Sequence, residues 1–280
     1  MMIVGAPKCG TTSLLRYLGC HPGIEEARET ELTWFSDPVL AAGPFPTTRY
    51  FGPGPARGLR LGKLAGLMYR PVAVARLVAL NPAVTALVVL RDPVARAYSD
   101  YWFDRRRGRE PQGEFRAALE AAAPGPASRR SLLEAGEYDR WVGALVAALG
   151  RERVAVFVLE ELAADPAGVA GPVVARLGLD PALLGPALPR ENPRRAARSV
   201  RLAQARRNGG AVGLARRMLP AGARRRLRAQ YRRLNEVEDR FPDLDPALAA
   251  ELAERYRPSV ARLEALLGRG PIEAWHHGQG

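Results

Sequence analysis

The chain has 280 residues, 47% of them hydrophobic and a net charge of +13, which excludes a disordered segment and allows a full globular core. No stretch reaches the roughly 18 uninterrupted apolar residues of a membrane span, and no basic leader precedes the first short apolar run, so neither an anchor nor a signal peptide is expected. The two cysteines, Cys9 and Cys20, cannot build a disulfide framework; a reducing, cytoplasmic setting is expected.

The charge is local. Between Asn192 and Asn235 stand fourteen arginines and no acid, while the remainder of the chain is close to neutral. Lysine is nearly absent: only Lys8 and Lys63 occur among forty-two basic residues. A compositional bias toward arginine explains the rest and makes these two lysines informative, because a compact ammonium and a guanidinium fork do different work.

In chain order, Met1–Gly5 reads as a short buried strand. The loop Ala6–Gly10 follows, then an amphipathic helix from about Thr11 to Leu18, ended by His21-Pro22-Gly23. Residues Arg28 to Gly58 form an irregular excursion rich in Pro, Gly and aromatics, including Trp34, Phe35, Phe45, Tyr50 and Phe51. Linkers rarely carry so many aromatics, so this one is expected to be functional. Leu59–Lys63 reads as a strand and Pro71–Leu80 as a helix with proline in its first turn. Val84–Leu90 is a continuous β-branched and leucine run, the pattern of a strand buried on both faces. Helices are expected from Pro93 to about Asp104, over Glu114–Ala122 and over Glu137–Leu149, with a loop at Ala123–Ser128. Arg153–Leu159 is the second long buried strand, and helix Pro166–Leu177 follows it. Beyond the arginine-rich stretch, Pro246–Leu267 is an amphipathic helix capped by Asp245. Strands alternating with helices predict an α/β fold in one domain over 1–280: a P-loop-like three-layer sandwich, with a parallel sheet of about five strands flanked by helices.

The first strand, loop and helix have the arrangement that cradles phosphate, backbone N–H groups and the positive helix end facing the anion. The loop reads Gly5-Ala6-Pro7-Lys8-Cys9-Gly10-Thr11-Thr12. Its glycines fit the nucleotide-triphosphatase pattern, yet Thr11 stands where that pattern needs lysine, and the lysine lies inside the loop at Lys8. Leu90-Arg91-Asp92-Pro93-Val94-Ala95-Arg96-Ala97-Tyr98-Ser99 is the second motif. Arg91 leaves the carboxyl end of the clearest strand, where ligands bind in open α/β sheets, and Ser99 follows two helical turns on. A guanidinium and a hydroxyl placed so can hold a phosphate dianion. Arg96 is expected to pair instead with Asp92 or Asp100.

The segment Ile3–Ser13 (IVGAPKCGTTS) resembles the 5′-phosphosulfate loop of sulfotransferases that use 3′-phosphoadenosine 5′-phosphosulfate (PAPS), and Leu90–Ser99 resembles the same family's 3′-phosphate motif. The likeness is to bacterial members related to the heparan sulfate and carbohydrate sulfotransferases. It implies that Lys8, Cys9, Gly10, Thr11 and Thr12 wrap the 5′-phosphate, that Lys8 neutralises the oxygen linking phosphate to sulfate, and that Arg91 and Ser99 hold the 3′-phosphate. No metal is implied, and three histidines, His21, His276 and His277, do not suggest a zinc site.

Thr30-Glu31-Leu32-Thr33-Trp34-Phe35 matches the family segment whose Glu deprotonates the acceptor, with threonine at two positions where the family has Lys and often His. Glu31 takes the base position, and Glu25, Glu26 and Glu29 are rivals. Leu61–Tyr69 matches the family's Lys-Ser/Thr-Pro-x-Tyr segment: Lys63 is kept, while the hydroxyl is lost at Leu64. Gly136-Glu137-Tyr138 and Val156–Leu162 resemble a helix start and a Glu-x-Leu strand of these enzymes, Tyr138 being expected to pack rather than to react. The stretch from about 187 to 235 stands where relatives fold a lid. Arg190, Arg194, Arg195 or Arg198 is expected to reach the donor, and the later arginines to lie on a solvated or substrate-facing surface.

The resemblance implies transfer of a sulfuryl group from PAPS to a hydroxyl, or less readily an amine, of a carbohydrate, glycolipid or small metabolite. Three other readings stand beside it: a P-loop kinase or ATPase, a donor-binding relative without turnover, and a nucleic-acid module built on the arginine block. The last has a single aromatic, Tyr231, and no recognition motif, so no specific nucleic-acid partner is expected.

Overall fold

The computed structural model describes residues 1–56, 58–106, 114–120, 132–189 and 242–276, and the backbone of 195–197 and 236–238. Its centre is a five-stranded, wholly parallel sheet in the order β2-β3-β1-β4-β5. The strands are β1 Met2–Gly5, β2 Ile24–Glu26, β3 Leu59–Lys63, β4 Ala86–Leu90 and β5 Val154–Val158. β1 and β4 are buried along their whole length, which is why their sequences are unbroken apolar runs rather than alternating ones.

Parallel strands need crossovers, and helices supply them. α1 Thr11–Gly19 crosses from β1 and packs over β1, β2 and β3 through Leu14, Leu15, Tyr17 and Leu18. α2 Thr47–Phe51 is a short helix inside the aromatic excursion. α3 Pro71–Leu80 leads into β4, and α4 Pro93–Arg106 leaves it. α5 Phe115–Glu120 and α6 Tyr138–Leu149 precede β5. α7 Leu159–Ala164 and α8 Pro166–Arg176 follow it, and the long helix α9 Pro246–Leu267 packs on α6 and α4.

Several expected bounds shift by one or two residues, among them Val84–Leu90 to Ala86–Leu90 and Glu114–Ala122 to Phe115–Glu120, and two assignments differ in kind. β2 is not expected from the sequence: it is three residues long, Ile-Glu-Glu, and exists because it pairs in register with β3, Ile24 opposite Leu59 and Glu26 opposite Leu61. The stretch Val156–Leu162 is not one strand. β5 stops at Val158, and Leu159 opens α7 with Glu160 and Glu161 in the first turn, where carboxylates suit the positive helix end.

A separate antiparallel ladder, β6 Arg195–Ala197 with β7 Glu236–Glu238, joins the two ends of the arginine-rich stretch, Arg195 opposite Glu238. Arg190, Arg194, Arg198 and the proposed lid between them and Asn235 lie outside the described residues, as does the loop Ala123–Ser128.

Candidate functional site

Because all five strands run the same way, four of the segments flagged in the sequence gather at one edge of the sheet. β1 delivers the loop 6–10, β3 delivers Lys63, β4 delivers Arg91, and Glu31 lies beyond β2. The edge is stitched by backbone bonds: Ala6 N donates to Val89 O (2.8 Å), Leu64 N to Ile3 O (2.9 Å) and Leu32 N to Lys63 O (2.7 Å).

Lys8 has φ +69° and Gly10 φ +82°. A lysine in the left-handed region costs on the order of 1–3 kcal/mol and persists where the surroundings over-determine it, which is common at binding sites. Gly10 is also the N-cap of α1. No side chain caps that helix end, and no acid stands in its first turn, so the helix end has no built-in anion. The thiol of Cys9 is turned away from solvent, and burial pushes it up to about 11, so it stays protonated and unreactive at neutral pH. The Lys8 ammonium lies 3.8 Å from the centroid of the Phe103 ring on α4, one turn beyond Ser99, and close enough to Asp100 to lower that residue's raised pKa, whose main cause is burial.

Arg91 follows β4 directly. Its guanidinium makes no hydrogen bond or ion pair among the described residues, and neither does the Ser99 hydroxyl. The same is true of the Thr11 and Thr12 hydroxyls. Arg96, by contrast, is spoken for: it is fully buried, paired to Asp100 at 3.3 Å and donating to Leu132 O. Among the described residues the ion pair of Arg96 is with Asp100, and Asp92 has another task. Its carboxylate caps α4 by accepting from Ala95 N at 2.6 Å.

Lys63 is 2% exposed and pairs with Glu31, whose second oxygen accepts from Ala65 N at 2.9 Å. The rivals are committed to arginines: Glu25 to Arg60 (3.1 Å), Glu26 to Arg16, and Glu29 in a two-pronged pair with Arg49 on α2 (2.6 and 3.1 Å). The aromatic excursion anchors the Glu31 segment. Trp34 N donates to the Tyr50 hydroxyl (3.2 Å), Trp34 Nε1 to Gly43 O (3.2 Å), and Phe45 packs edge-on to Trp34 and tilted against Phe35 and Tyr50.

Two contacts at this edge escape a reading of the sequence. Glu160 accepts from both Asp92 N (3.2 Å) and Trp275 Nε1 (3.1 Å), tying the turn after β4 to the segment beyond α9. Tyr138 donates its hydroxyl proton to Arg91 O at 2.9 Å. The Gly-x-Tyr motif points at that residue without saying what its hydroxyl reaches. His21 is structural, its ring bridging Gly23 N and Asp180 O at 3.0 Å each.

The crystal structure of a sulfotransferase from Alicyclobacillus acidocaldarius matches the chain with a TM-score of 0.67 and 26% identity, over 99% of this chain and 98% of that one. Along the whole of both chains, this protein is similar to that sulfotransferase in fold and in sequence. Two looser structural matches are the sulfotransferase domain of the Synechococcus PCC 7002 olefin synthase (TM-score 0.46, 18% identity, 91% of this chain and 93% of that one) and a mouse sulfotransferase complexed with PAP (TM-score 0.43, 20% identity, 64% and 58%). Neither superposes closely enough to carry residue-level detail. No family model and no curated protein sequence matches the chain. The kinase and ATPase reading is not favoured for this sulfotransferase, in keeping with Thr11 in place of the nucleotide-triphosphatase lysine. Among the described residues, no helix is long and apolar enough to cross a membrane.

Proposed function

We propose that this sulfotransferase draws its sulfuryl group from PAPS and passes it to a hydroxyl, less readily an amine, of a carbohydrate, glycolipid or small metabolite. One observation carries the donor assignment. On neighbouring strands, an uncapped helix end with left-handed Lys8 and Gly10 stands beside Arg91, whose guanidinium has no partner among the described residues. Two separate anion-ready sites suit a nucleotide phosphorylated at both its 5′ and 3′ positions.

In this reading Thr11, Thr12 and the loop N–H groups hold the 5′-phosphate, and Arg91 and Ser99 hold the 3′-phosphate. Glu31 takes the acceptor proton as the acceptor oxygen bonds to sulfur. The bond from sulfur to the bridging phosphate oxygen breaks, and the electron pair leaves on 3′,5′-ADP, where Lys8 and the helix end offset the charge. Lys63 keeps Glu31 aimed, since the buried ammonium and the Ala65 N–H fix one contact on each carboxylate oxygen. The half-exposed carboxylate retains room for an incoming hydroxyl. Cys9 and Cys20 are free thiols, which suits a reducing, cytoplasmic compartment.

Calorimetric titration tests the donor. 3′,5′-ADP is expected to bind more tightly than 5′-AMP, and Arg91→Ala to weaken 3′,5′-ADP by more than about tenfold, as removal of a charged partner from a buried phosphate does. Equal affinity for the two nucleotides would remove Arg91 and Ser99 from the 3′-phosphate.

A further inference from the structure

We infer that Tyr138 is a positioning residue that couples the two donor-binding segments of this sulfotransferase, so that its hydroxyl sets the affinity for ligands that bridge them. The inference rests on the donor reading above and deepens it.

Tyr138 is 1% exposed at the start of α6. Its hydroxyl carries one proton, and that proton goes to the carbonyl of Arg91, 2.9 Å away, at the turn where β4 ends. The same hydroxyl oxygen stands 3.7 Å from the Cys9 sulfur in the middle of the first loop. With its proton already given to Arg91, the tyrosine can only accept from the thiol, whose other acceptor is Pro7 O at 3.6 Å within the same loop. One buried oxygen therefore touches the residue at the centre of the Lys8–Thr12 loop and the backbone of the residue proposed for the 3′-phosphate. The ring itself is wedged against Trp275, 5.8 Å between centroids, and Trp275 is held by Glu160, which also takes Asp92 N. The segment Arg91-Asp92 is thus fixed on both sides, at the Arg91 carbonyl by Tyr138 and at the next N–H by Glu160.

The physical consequence concerns distance between sites, not either site alone. Without the hydroxyl, the Arg91 carbonyl and the Cys9 thiol lose a shared buried partner, and the two segments can settle independently. A ligand that touches only the first loop then loses little, while a ligand that must span both bears the cost of restoring their spacing.

The test is Tyr138→Phe, which keeps the ring and its packing, measured by calorimetry with 3′,5′-ADP and with 5′-AMP. The expected result is about a tenfold loss for 3′,5′-ADP and a loss of no more than about threefold for 5′-AMP, the scale of one buried hydrogen bond felt by the spanning ligand only. In turnover, the KM for PAPS should rise with kcat nearly unchanged. Cys9→Ala should give a smaller loss in the same direction, and the double variant should lose less than the two together, since both act through one oxygen. A lowered melting temperature with both nucleotides weakened by the same factor, or with neither changed, would reduce Tyr138 to a packing residue and overturn the inference. If Tyr138→Phe does not fold, Cys9→Ala decides the question: unequal loss supports the coupling and equal loss overturns it. Failure of the parent protein to bind 3′,5′-ADP would instead sink the donor reading, and the coupling with it.

Discussion

Glu31, the proposed base, is oriented without being buried. Lys63 supplies a positive charge from inside the protein, and Ala65 N–H supplies a fixed dipole, so the carboxylate is oriented by two donors that do not move with solvent. Replacing it by an amide keeps the size but removes the proton acceptor and leaves Lys63 without its counter-charge. Glu31→Gln should lower turnover by about a hundredfold or more while 3′,5′-ADP binding stays near the parent value. Glu29→Gln, which frees only the surface pair with Arg49, should turn over normally. Single-turnover rates with labelled PAPS separate the two; a normal Glu31→Gln with a slow Glu29→Gln would shift the base by two residues. The choice among four nearby glutamates is only partly legible in the sequence. Scarcity of lysine singles out Lys63, but the pairing of Lys63 with Glu31 rather than with Glu25, Glu26 or Glu29 depends on how the segment after β2 returns to the end of β3, Leu32 N meeting Lys63 O.

At the scale of elements, the loop between β1 and α1 depends on glycine for two separate reasons. Gly10 has φ +82°, and a Cβ there would stand 2.6 Å from Leu159 Cδ1, the first residue of α7. Gly178, with φ +78°, has open space around its would-be Cβ and so isolates the backbone cost from the steric one. Gly178→Ala should cost about 1 kcal/mol through the left-handed backbone alone. Gly10→Ala should cost clearly more, about 2–3 kcal/mol in urea unfolding, and should weaken 3′,5′-ADP as the loop shifts. Equal costs would mean that Leu159 yields freely and that α7 does not brace the loop. Elements of this kind are the most readable part of the chain. β3, α3 and α9 have the bounds expected from their punctuation, Pro71 and Pro246 sitting at the first helical position. β2 is not readable, because three residues ending in two glutamates carry no period; only the neighbouring strand makes them a strand.

At the scale of the whole molecule, four elements converge on four consecutive backbone carbonyls. Arg96 of α4 donates to Leu132 O, Tyr256 of α9 to Leu133 O (3.0 Å), Trp141 of α6 to Glu134 O (2.8 Å) and Tyr69 to Ala135 O (2.6 Å). These carbonyls belong to no strand or α-helix; Leu133 O and Glu134 O also accept from Gly136 N (2.9 Å) and Glu137 N (3.1 Å), and side-chain donors from 7 to 123 residues away reach all four. No local pattern could announce such a node, which is why the sequence shows this region only as a connection between helices. Three residues after the run stands Tyr138, so the node that unites α4, α6 and α9 also fixes the tyrosine proposed to space the donor segments. Arg96 is its most exposed weakness. The guanidinium is fully buried, bonds Leu132 O and Asp100, and leaves Nε without a partner among the described residues. Arg96→Leu strips Asp100 of its ion-pair partner and leaves a bare carbonyl, and should cost about 3–5 kcal/mol. Arg96→Lys restores charge but not the planar fork that reaches two acceptors at once, and should recover less than half of the loss. Tyr256→Phe removes one carbonyl contact and should cost about 1–3 kcal/mol. Urea unfolding of the three variants orders them. A lysine variant as stable as the parent would show that Asp100 needs only a positive charge and that the carbonyl run holds without the fork.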